Sequence, residues 1–223
     1  GTLKSSLIYI PAKLIPGVLG LFLIRFLTSN FSQDEYGFYQ IGLSTLGFLN
    51  AFSVMWLSSS VSRFYIGYEG KGEKDTFLST LFFLSLVGIF IVSLTGLVIN
   101  IMFFKARLTA PLFTVLNWVI LASVTNSFFM IFIQVYRASL RAKYYSILWS
   151  LFSFGKFAFS VLLVLLGIKA EAVFIAFFII SLFVVIFILL NLKVHRLFQW
   201  HSISLDLIKE FLKYGIPISL SFL

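Results

Sequence analysis

The sequence contains no cysteine and only two histidines among its 223 residues. The absence of cysteine excludes disulfides, zinc–thiolate sites and thiol nucleophiles. Charged residues are also scarce, at 11% of the chain, whereas a soluble domain carries about a quarter. Hydrophobic residues make up 60%, and the mean hydropathy is +1.05. So few polar side chains cannot cover a protein surface in water, and the composition therefore predicts a chain that is solvated by lipid.

Carboxylates are missing from the apolar segments. All eight acidic residues lie in polar connections or near the ends of apolar runs: Asp34, Glu35, Glu69, Glu73, Asp75, Glu171, Asp206 and Glu210. No carboxylate is therefore placed to bind a sodium ion, a proton or a cationic drug inside a membrane. His195 and His201 have no acidic partner at the spacing of a metal site or a catalytic triad. We predict no metal, no cofactor, no catalytic residue and no enzymatic activity.

Six apolar runs are long enough to cross a membrane, which takes about 20 residues. They are residues 7–28, 36–60, 76–104, 111–136, 144–167 and 171–193. A seventh run begins near Leu207, and its incomplete length predicts that a second lobe continues the fold. The connections are short and polar. The prediction is an all-α polytopic membrane protein in which residues 1–200 form a six-helix lobe and residues 201–223 form a connector and the start of helix seven.

The basic residues predict the orientation of the spans. The net charge is +9, but Lys and Arg are scattered between apolar runs, which is typical of topology signals rather than of a nucleic-acid surface. If the N-terminus is cytoplasmic, four basic residues lie outside and eleven lie inside: Lys4, Arg63, Lys71, Lys74, Arg137, Arg141, Lys143, Lys193, Arg196, Lys209 and Lys213. We predict a multi-pass protein of the cytoplasmic (inner) membrane with its N-terminus inside.

Helix ends agree with this segmentation. The spacing of Ser32 and Glu35 predicts a capping box at the start of the second helix. Pro111 falls in the first turn of the fourth helix, where proline is tolerated. Pro11 and Pro16 lie within the first helix and are expected to bend it.

Two lysines lie within predicted spans, where a charge costs at least about 2.5–3.5 kcal/mol unless it faces protein or water. Lys156 is near the middle of helix five, on a stripe with Ser153 and Ser160, and we expect it to face a cavity. Lys13 shares a face of helix one with Gly17. It either lines the cavity or snorkels to the headgroups.

Three further polar residues are candidates for the same cavity. Arg25 is either an interfacial anchor or a ligand for the substrate. Asn50 and Asn126 either contact the substrate or join helices by hydrogen bonds. A cavity lined by Lys156, Lys13, Arg25, Asn50 and Asn126 would be positively charged and would attract an anion such as a pyrophosphate-linked lipid.

Five segments in chain order carry a family resemblance. They are Leu23–Leu27, Asp34–Tyr39, Ser60–Tyr65, Tyr136–Tyr145 and Leu212–Ile218. Together they resemble the helix-one arginine, the entry to and exit from helix two, the loop between helices four and five, and the start of helix seven in O-antigen and capsular polysaccharide flippases. These proteins belong to the multidrug/oligosaccharidyl-lipid/polysaccharide exporter superfamily.

The resemblance implies one lobe of a two-lobe exporter with twelve to fourteen helices and alternating access. The implied function is the flipping of polyprenyl-pyrophosphate-linked oligosaccharide units across the membrane. Membrane lipid, this glycan substrate and other polysaccharide-assembly proteins are the implied partners, and nucleic acid is not. Two alternatives remain: a multidrug exporter of the same superfamily, and a polytopic polyprenyl-sugar glycosyltransferase or polymerase that uses Asp34 and Glu35.

Overall fold

The computed structural model describes residues 2–104, 109–192 and 202–220 of the chain. These residues form seven α-helices: α1 Thr2–Asn30, α2 Gln33–Gly70, α3 Lys74–Ile99, α4 Ala110–Ala138, α5 Ala142–Leu165, α6 Glu171–Asn191 and α7 Leu205–Leu220. A π-helical turn, Asn100–Phe104, extends α3. The first six helices are long and apolar enough to cross a membrane. The predicted all-α membrane fold is confirmed, and each predicted span coincides with one helix.

The second helix is longer than the sequence pattern predicts. We expected a connection from Arg63 to Asp75, but α2 continues to Gly70. Its 38 residues span about 57 Å, nearly twice the hydrocarbon thickness of a bilayer. Tyr65 is fully buried against the ring of Phe77 in α3, and this contact holds the extension in place. An apolar run ends where the lipid ends, whereas a helix continues as long as something packs against it.

The helices run up and down through short connections, so the lobe has two ends. We call the end that carries the α2–α3 and α4–α5 connections the basic end, because most of the Lys and Arg residues lie there. The other end, with the α1–α2 and α5–α6 connections, is the opposite end. Residues 105–108 of the connection that begins at Lys105, and residues 194–201 of the predicted connection 194–206, with both histidines, lie outside the described residues.

Helix α4 is the centre of the lobe. It packs against α2 and α6 along its length and against α3 and α5 on its remaining sides. Buried residues occur all round it, as expected of a helix enclosed by others. Helix α1 packs mainly on α5 and therefore lies at the edge of the lobe, and α3 lies at the other edge beside α2.

Close approaches between the helices depend on glycine. A Cβ at Gly42 in α2 would lie 2.5 Å from the ring of Phe174 in α6, and one at Gly155 in α5 would lie 3.1 Å from Ile180. Small residues at such positions allow membrane helices to gain van der Waals contact where lipid provides no hydrophobic driving force.

Helix α7 packs on the basic-end half of α2 and also reaches α3. Phe211 is fully buried, stacks on Phe64 and meets Phe77 edge-on. The guanidinium of Arg63 lies 4.6 Å from the ring centroid of Tyr214. The hydroxyl of Tyr68 donates a hydrogen bond of 3.3 Å to the carboxylate of Glu210. In this structure α7 is therefore attached to the first six helices, whereas its assignment to a second lobe stays a prediction.

The contact between α7 and α2 depends on Gly215. A Cβ at this position would run into the backbone carbonyl of Trp56, which cannot rotate away as a side chain can. We expect Gly215→Ala to lower the stability of the purified protein by about 1–3 kcal/mol, the usual cost of overpacking. Thermal unfolding in detergent measures this loss. Gly47→Ala is the matched control because nothing lies within 4 Å of its Cβ. Equal melting temperatures for the two variants would contradict the close approach.

Candidate functional site

The acidic pair at the opposite end of the lobe has a structural role. The predicted capping box is confirmed, since Ser32 Oγ accepts a hydrogen bond from the backbone N–H of Glu35 and Glu35 Oε2 accepts one from the N–H of Ser32, at 3.3 and 2.9 Å. Glu35 Oε1 also lies 3.0 Å from Lys169 Nζ in the α5–α6 connection. The hydrogen bond with Glu35 raises the pKa of Lys169. Capping and this ion pair account for Glu35 without any chemistry.

Hydroxyl and amide side chains join three helices at the middle of the lobe. Ser127 in α4 donates a hydrogen bond of 3.1 Å to Asn50 Oδ1 in α2, and its Oγ lies 2.9 Å from Ser53 Oγ. Two residues earlier on α4, the hydroxyl of Thr125 pairs with that of Ser181 in α6. The predicted role of Asn50 in helix association therefore has a direct contact, and this contact places Asn50 beside the centre of α4.

Asn126 lies between Thr125 and Ser127 on α4, but its side-chain oxygen does not join a neighbouring helix as theirs do. It is 2% exposed, and among the described residues its Oδ1 has no hydrogen-bond partner. A buried carbonyl oxygen without a donor costs about 1–3 kcal/mol. Native structures commonly explain such an atom by a water molecule or a ligand.

Lys156 reaches the same depth from α5. The rings of Phe129 in α4 and Phe152 in α5 stack with centroids 4.3 Å apart, which sets the two helices in register. One turn further toward the opposite end come Asn126 on α4 and Lys156 on α5. Lys156 is half-buried, and its Nζ lies 4.4 Å from the ring centroid of Phe177 in α6. Three of the five predicted cavity residues, on α2, α4 and α5, thus lie at one level of the bundle.

The other two predicted cavity residues are on α1 and do not join this group. Lys13 is exposed, and because α1 begins at Thr2 it lies about 16 Å along the helix. The candidate membrane span begins at Ile10, so Lys13 lies only about 5 Å inside it, and both predicted roles, cavity residue and snorkelling residue, stay open. Arg25 is also exposed and lies near the end of α1. Their roles in a cavity stay predictions.

The exposed side of α2 divides into two flanks. The flank turned away from α3 carries small and polar residues, which we call the small-residue flank: Gln40, Ser44, Gly47, Ala51, Ser58 and Ser62. The flank beside α3 carries Ile41, Phe48 and Phe52. Lipid is the natural neighbour of the second flank, whereas the first has the composition of a surface that faces protein or water.

The sequence did not identify the small-residue flank. The predicted stripe through Asn50 also contained Gly47, Ser53 and Ser60, and the structure divides it. Gly47 is exposed, whereas Ser53 and Ser60 are buried and donate hydrogen bonds to carbonyl oxygens one turn earlier in α2. A serine that bonds its own helix and one that faces a cavity look the same in the sequence.

The arrangement has the fold of one lobe of a membrane transporter, as two solved structures show. One is an outward-facing multidrug resistance MATE family transporter of the MOP superfamily, with a TM-score of 0.78 and 17% sequence identity. The other is a MOP superfamily transporter from Pyrococcus furiosus, with a TM-score of 0.77 and 16% identity. Each match covers 98% of this chain and 51% of the transporter, so the chain spans about half their length.

No protein-family model and no curated protein matches the sequence. The predicted all-α membrane fold agrees with the fold of these two transporters. The narrower flippase family is a separate question, because identities of 16–17% show the fold alone.

The two central asparagines should respond differently to replacement by leucine. Asn50→Leu removes the acceptor for Ser127 and should lower stability by about 0.6 kcal/mol, the average for a hydrogen bond between membrane helices, and by no more than about 1.7 kcal/mol. Asn126→Leu removes an oxygen that has no partner and should leave the melting temperature unchanged or raise it. If the lobe binds substrate at this level, only Asn126→Leu should reduce transport without reducing stability. A large loss of stability in Asn126→Leu would contradict this reading.

The acidic pair gives a second prediction. Glu35→Gln should keep the acceptor for the capping hydrogen bond and lose the charge attraction to Lys169, with only a small loss of stability because Lys169 is largely exposed. Asp34→Asn should have no measurable effect, since Asp34 is exposed at the first turn of α2. Cellular activity should persist in both variants. Its complete loss with normal expression would favour the glycosyltransferase reading.

Proposed function

We propose that this chain is a lobe of an exporter that moves an anionic, lipid-linked substrate across the cytoplasmic membrane by alternating access. The substrate class is a polyprenyl-pyrophosphate-linked oligosaccharide unit, such as those used for O-antigen or capsule, and the N-terminus is cytoplasmic. Binding of the diphosphate and sugars would bias a rocking motion between this lobe and a second one. No covalent chemistry is required.

One observation carries the proposal: a lysine lies at mid-depth in the lobe, and no carboxylate accompanies it. Among the described residues, all eight Asp and Glu side chains lie near helix ends or in connections. The ammonium of Lys156 lies against the ring of Phe177 and has no described carboxylate beside it. A cation at the centre of a membrane helix is expensive, so it is kept for function. A positive group without a counter-ion attracts an anion.

Helix α1 carries the two other basic residues of the predicted cavity, Lys13 toward its start and Arg25 toward its end. The exposed ammonium of Lys13 is not stable among lipid tails, so it reaches headgroups, water or protein. The small-residue flank of α2 has the same requirement. We propose that these two surfaces line one cleft, with Lys156 binding the diphosphate.

The second solved neighbour supports the use of pocket charge as a guide. Its reported finding is that reverse polarity of the binding pocket suggests a different function for that MOP superfamily transporter. Charge in the pocket thus varies within this fold. In the present chain, the charge at mid-depth is positive.

The multidrug exporter is the second candidate, and the first solved neighbour favours it. That protein is a multidrug resistance transporter with nearly the same TM-score. Cationic drugs would require an acidic residue within a span, and the described spans have none in their central parts. An anionic or neutral drug would avoid this objection, so the experiment must include both substrate classes.

Replacing Lys156 tests the proposal directly. In cells that depend on the full-length protein, Lys156→Met should lower export of the lipid-linked glycan at least tenfold, equivalent to about 1.4 kcal/mol. Complete glycan units should then accumulate on polyprenyl pyrophosphate. Lys156→Arg keeps the charge and should retain most activity. Lys169→Met, a lysine exposed at the opposite end, is the control for a general loss of charge.

The alternatives give different results in the same cells. Truncated glycan units would indicate a missing glycosyltransferase, and normal glycan levels together with lost drug resistance would indicate a drug exporter. Full export by a well-expressed Lys156→Met protein would overturn the assignment of Lys156 to the substrate site.

A further inference from the structure

The connection between α4 and α5 reverses the chain within three residues, Ser139 to Arg141. The backbone N–H of Arg141 donates to the carbonyl oxygen of Tyr136, and that of Leu140 donates to the carbonyl oxygen of Arg137, at 2.9 and 3.2 Å. These two hydrogen bonds form a Schellman motif at the end of α4. In this motif the residue after the helix has a left-handed backbone and is usually glycine.

Leucine occupies the glycine position of this motif. Leu140 has a φ of 56°, and among the described residues it is the one non-glycine residue with a positive φ. A side chain in this conformation costs free energy that glycine does not. Leu140 is also 79% exposed, so packing within the lobe does not offset that cost. The side chain is therefore placed for a contact outside the lobe.

Three cations surround this leucine. Arg137, Arg141 and Lys143 are all exposed, and neither of the two ion pairs among the described residues involves them. We call residues 137–143 the α4–α5 corner. The acidic residues at the basic end of the lobe belong instead to α7 and to the α2–α3 corner, the residues around the connection of α2 and α3: Glu69, Glu73, Asp75, Asp206 and Glu210. The α4–α5 corner is thus purely basic.

The α4–α5 corner lies at the level of the lipid headgroups. Helix α5 has 24 residues and is about 36 Å long, so when it is centred on a hydrocarbon core of about 30 Å its start lies about 3 Å outside. The α2–α3 corner lies further out. Ser127 bonds to Asn50, so the end of α4, eleven residues later, is level with about residue 61 of α2. Gly70 lies nine residues, or about 14 Å, beyond that level.

We propose that the α4–α5 corner binds anionic phospholipid of the cytoplasmic leaflet, such as phosphatidylglycerol. The lipid phosphates accept hydrogen bonds from Arg137, Arg141 and Lys143, and Leu140 inserts among the first methylene groups of the acyl chains. Charge complementarity selects this partner, because three cations without a carboxylate attract an anionic surface. An exposed apolar side chain among basic residues is also the composition of an interfacial membrane anchor. The proposal requires that the basic end is cytoplasmic, but it does not depend on the substrate.

Thermal unfolding of the delipidated full-length protein in detergent tests this site. Phosphatidylglycerol should raise the melting temperature more than phosphatidylethanolamine with identical chains, and added salt should reduce the difference. The triple variant Arg137→Gln, Arg141→Gln and Lys143→Gln should abolish the difference, and native mass spectrometry should show fewer retained anionic lipids.

A second triple variant is the matched control for the loss of charge. It combines Lys71→Gln, Lys74→Gln and Lys209→Gln, which remove the same charge from the α2–α3 corner and α7. Because these residues lie beyond the headgroups, this variant should keep the preference for phosphatidylglycerol.

Replacing the leucine separates its contact with lipid from its effect on the backbone. Glycine adopts the left-handed conformation freely, so Leu140→Gly should melt at the same temperature as the unmodified protein or higher when no lipid is present. Its shift with phosphatidylglycerol should nevertheless be smaller. A leucine with a purely structural role would give the reverse, a lower melting temperature without lipid and an unchanged shift.

Other results would overturn the proposal. Equal shifts for the two phospholipids would exclude recognition of anionic lipid, and an equal loss in the control triple variant would assign the effect to overall charge. A larger shift with a polyprenyl pyrophosphate than with phosphatidylglycerol, lost in the corner variant, would assign the corner to the substrate instead. If the corner variant does not fold, Lys143→Glu alone reverses one exposed charge and should reduce the shift with phosphatidylglycerol. These outcomes do not depend on Lys156, so they are separate from the proposed transport function.

Discussion

Five consecutive residues of α4, Thr125 to Phe129, hold the lobe together at its centre. Thr125 bonds to α6, Ser127 bonds to two residues of α2, and Phe129 stacks on α5. In water these contacts would be minor beside the hydrophobic effect, but lipid tails are as apolar as the side chains that they would replace. Tight packing and hydrogen bonds must then specify which helix faces which. Thr125 and Ser127 are two positions apart and therefore point to nearly opposite sides of α4, so the helix can form hydrogen bonds with a neighbour on each side.

This junction also explains why the candidate site is where it is. A residue that lies beside the junction is positioned by three helices at once, and both Asn126 and Lys156 have this position. Asn126 is the one residue of the run from Thr125 to Ser127 whose side-chain oxygen has no partner in the described part of the chain. The same packing that stabilises the lobe therefore encloses an unsatisfied acceptor beside a half-buried cation at mid-depth. Arrangements of this kind are costly in lipid, and helix packing alone does not require them.

The sequence predicted the number of helices and their order because the bilayer imposes a length that hydropathy records directly. It also predicted the capping box, since the Ser32–Glu35 motif is local. It was wrong about residues 63–70, where charge ended the apolar run but Tyr65 and Phe77 continued the helix. Hydropathy reports the solvent around a helix, and it contains no information about a neighbour that packs outside the membrane.

The sequence showed which chemical groups the candidate site contains, but it did not show how the helices bring them together. A lysine in mid-span and the absence of carboxylates are visible in the sequence, and both carry the proposal. The sequence could not show that Asn50 bonds to Ser127 whereas Asn126 does not bond, because the two asparagines lie 76 residues apart and have similar surroundings along the chain. Nor could it separate the two flanks of α2. To tell the two flanks apart, one must know which side of α2 packs against α3.

The two exposed flanks of α2 give the transport proposal two surfaces of different chemistry. A lobe that rocks against a partner must keep one surface compatible with water or protein and the other with lipid, whatever its orientation. Small residues on the first surface allow a polar substrate or the partner lobe to approach the backbone. Bulky side chains beside α3 line an apolar surface instead, which lipid tails can cover. Because α2 packs against both α3 and α4, the wall of the proposed cleft would move together with the lipid-facing side as one rigid body, as alternating access requires.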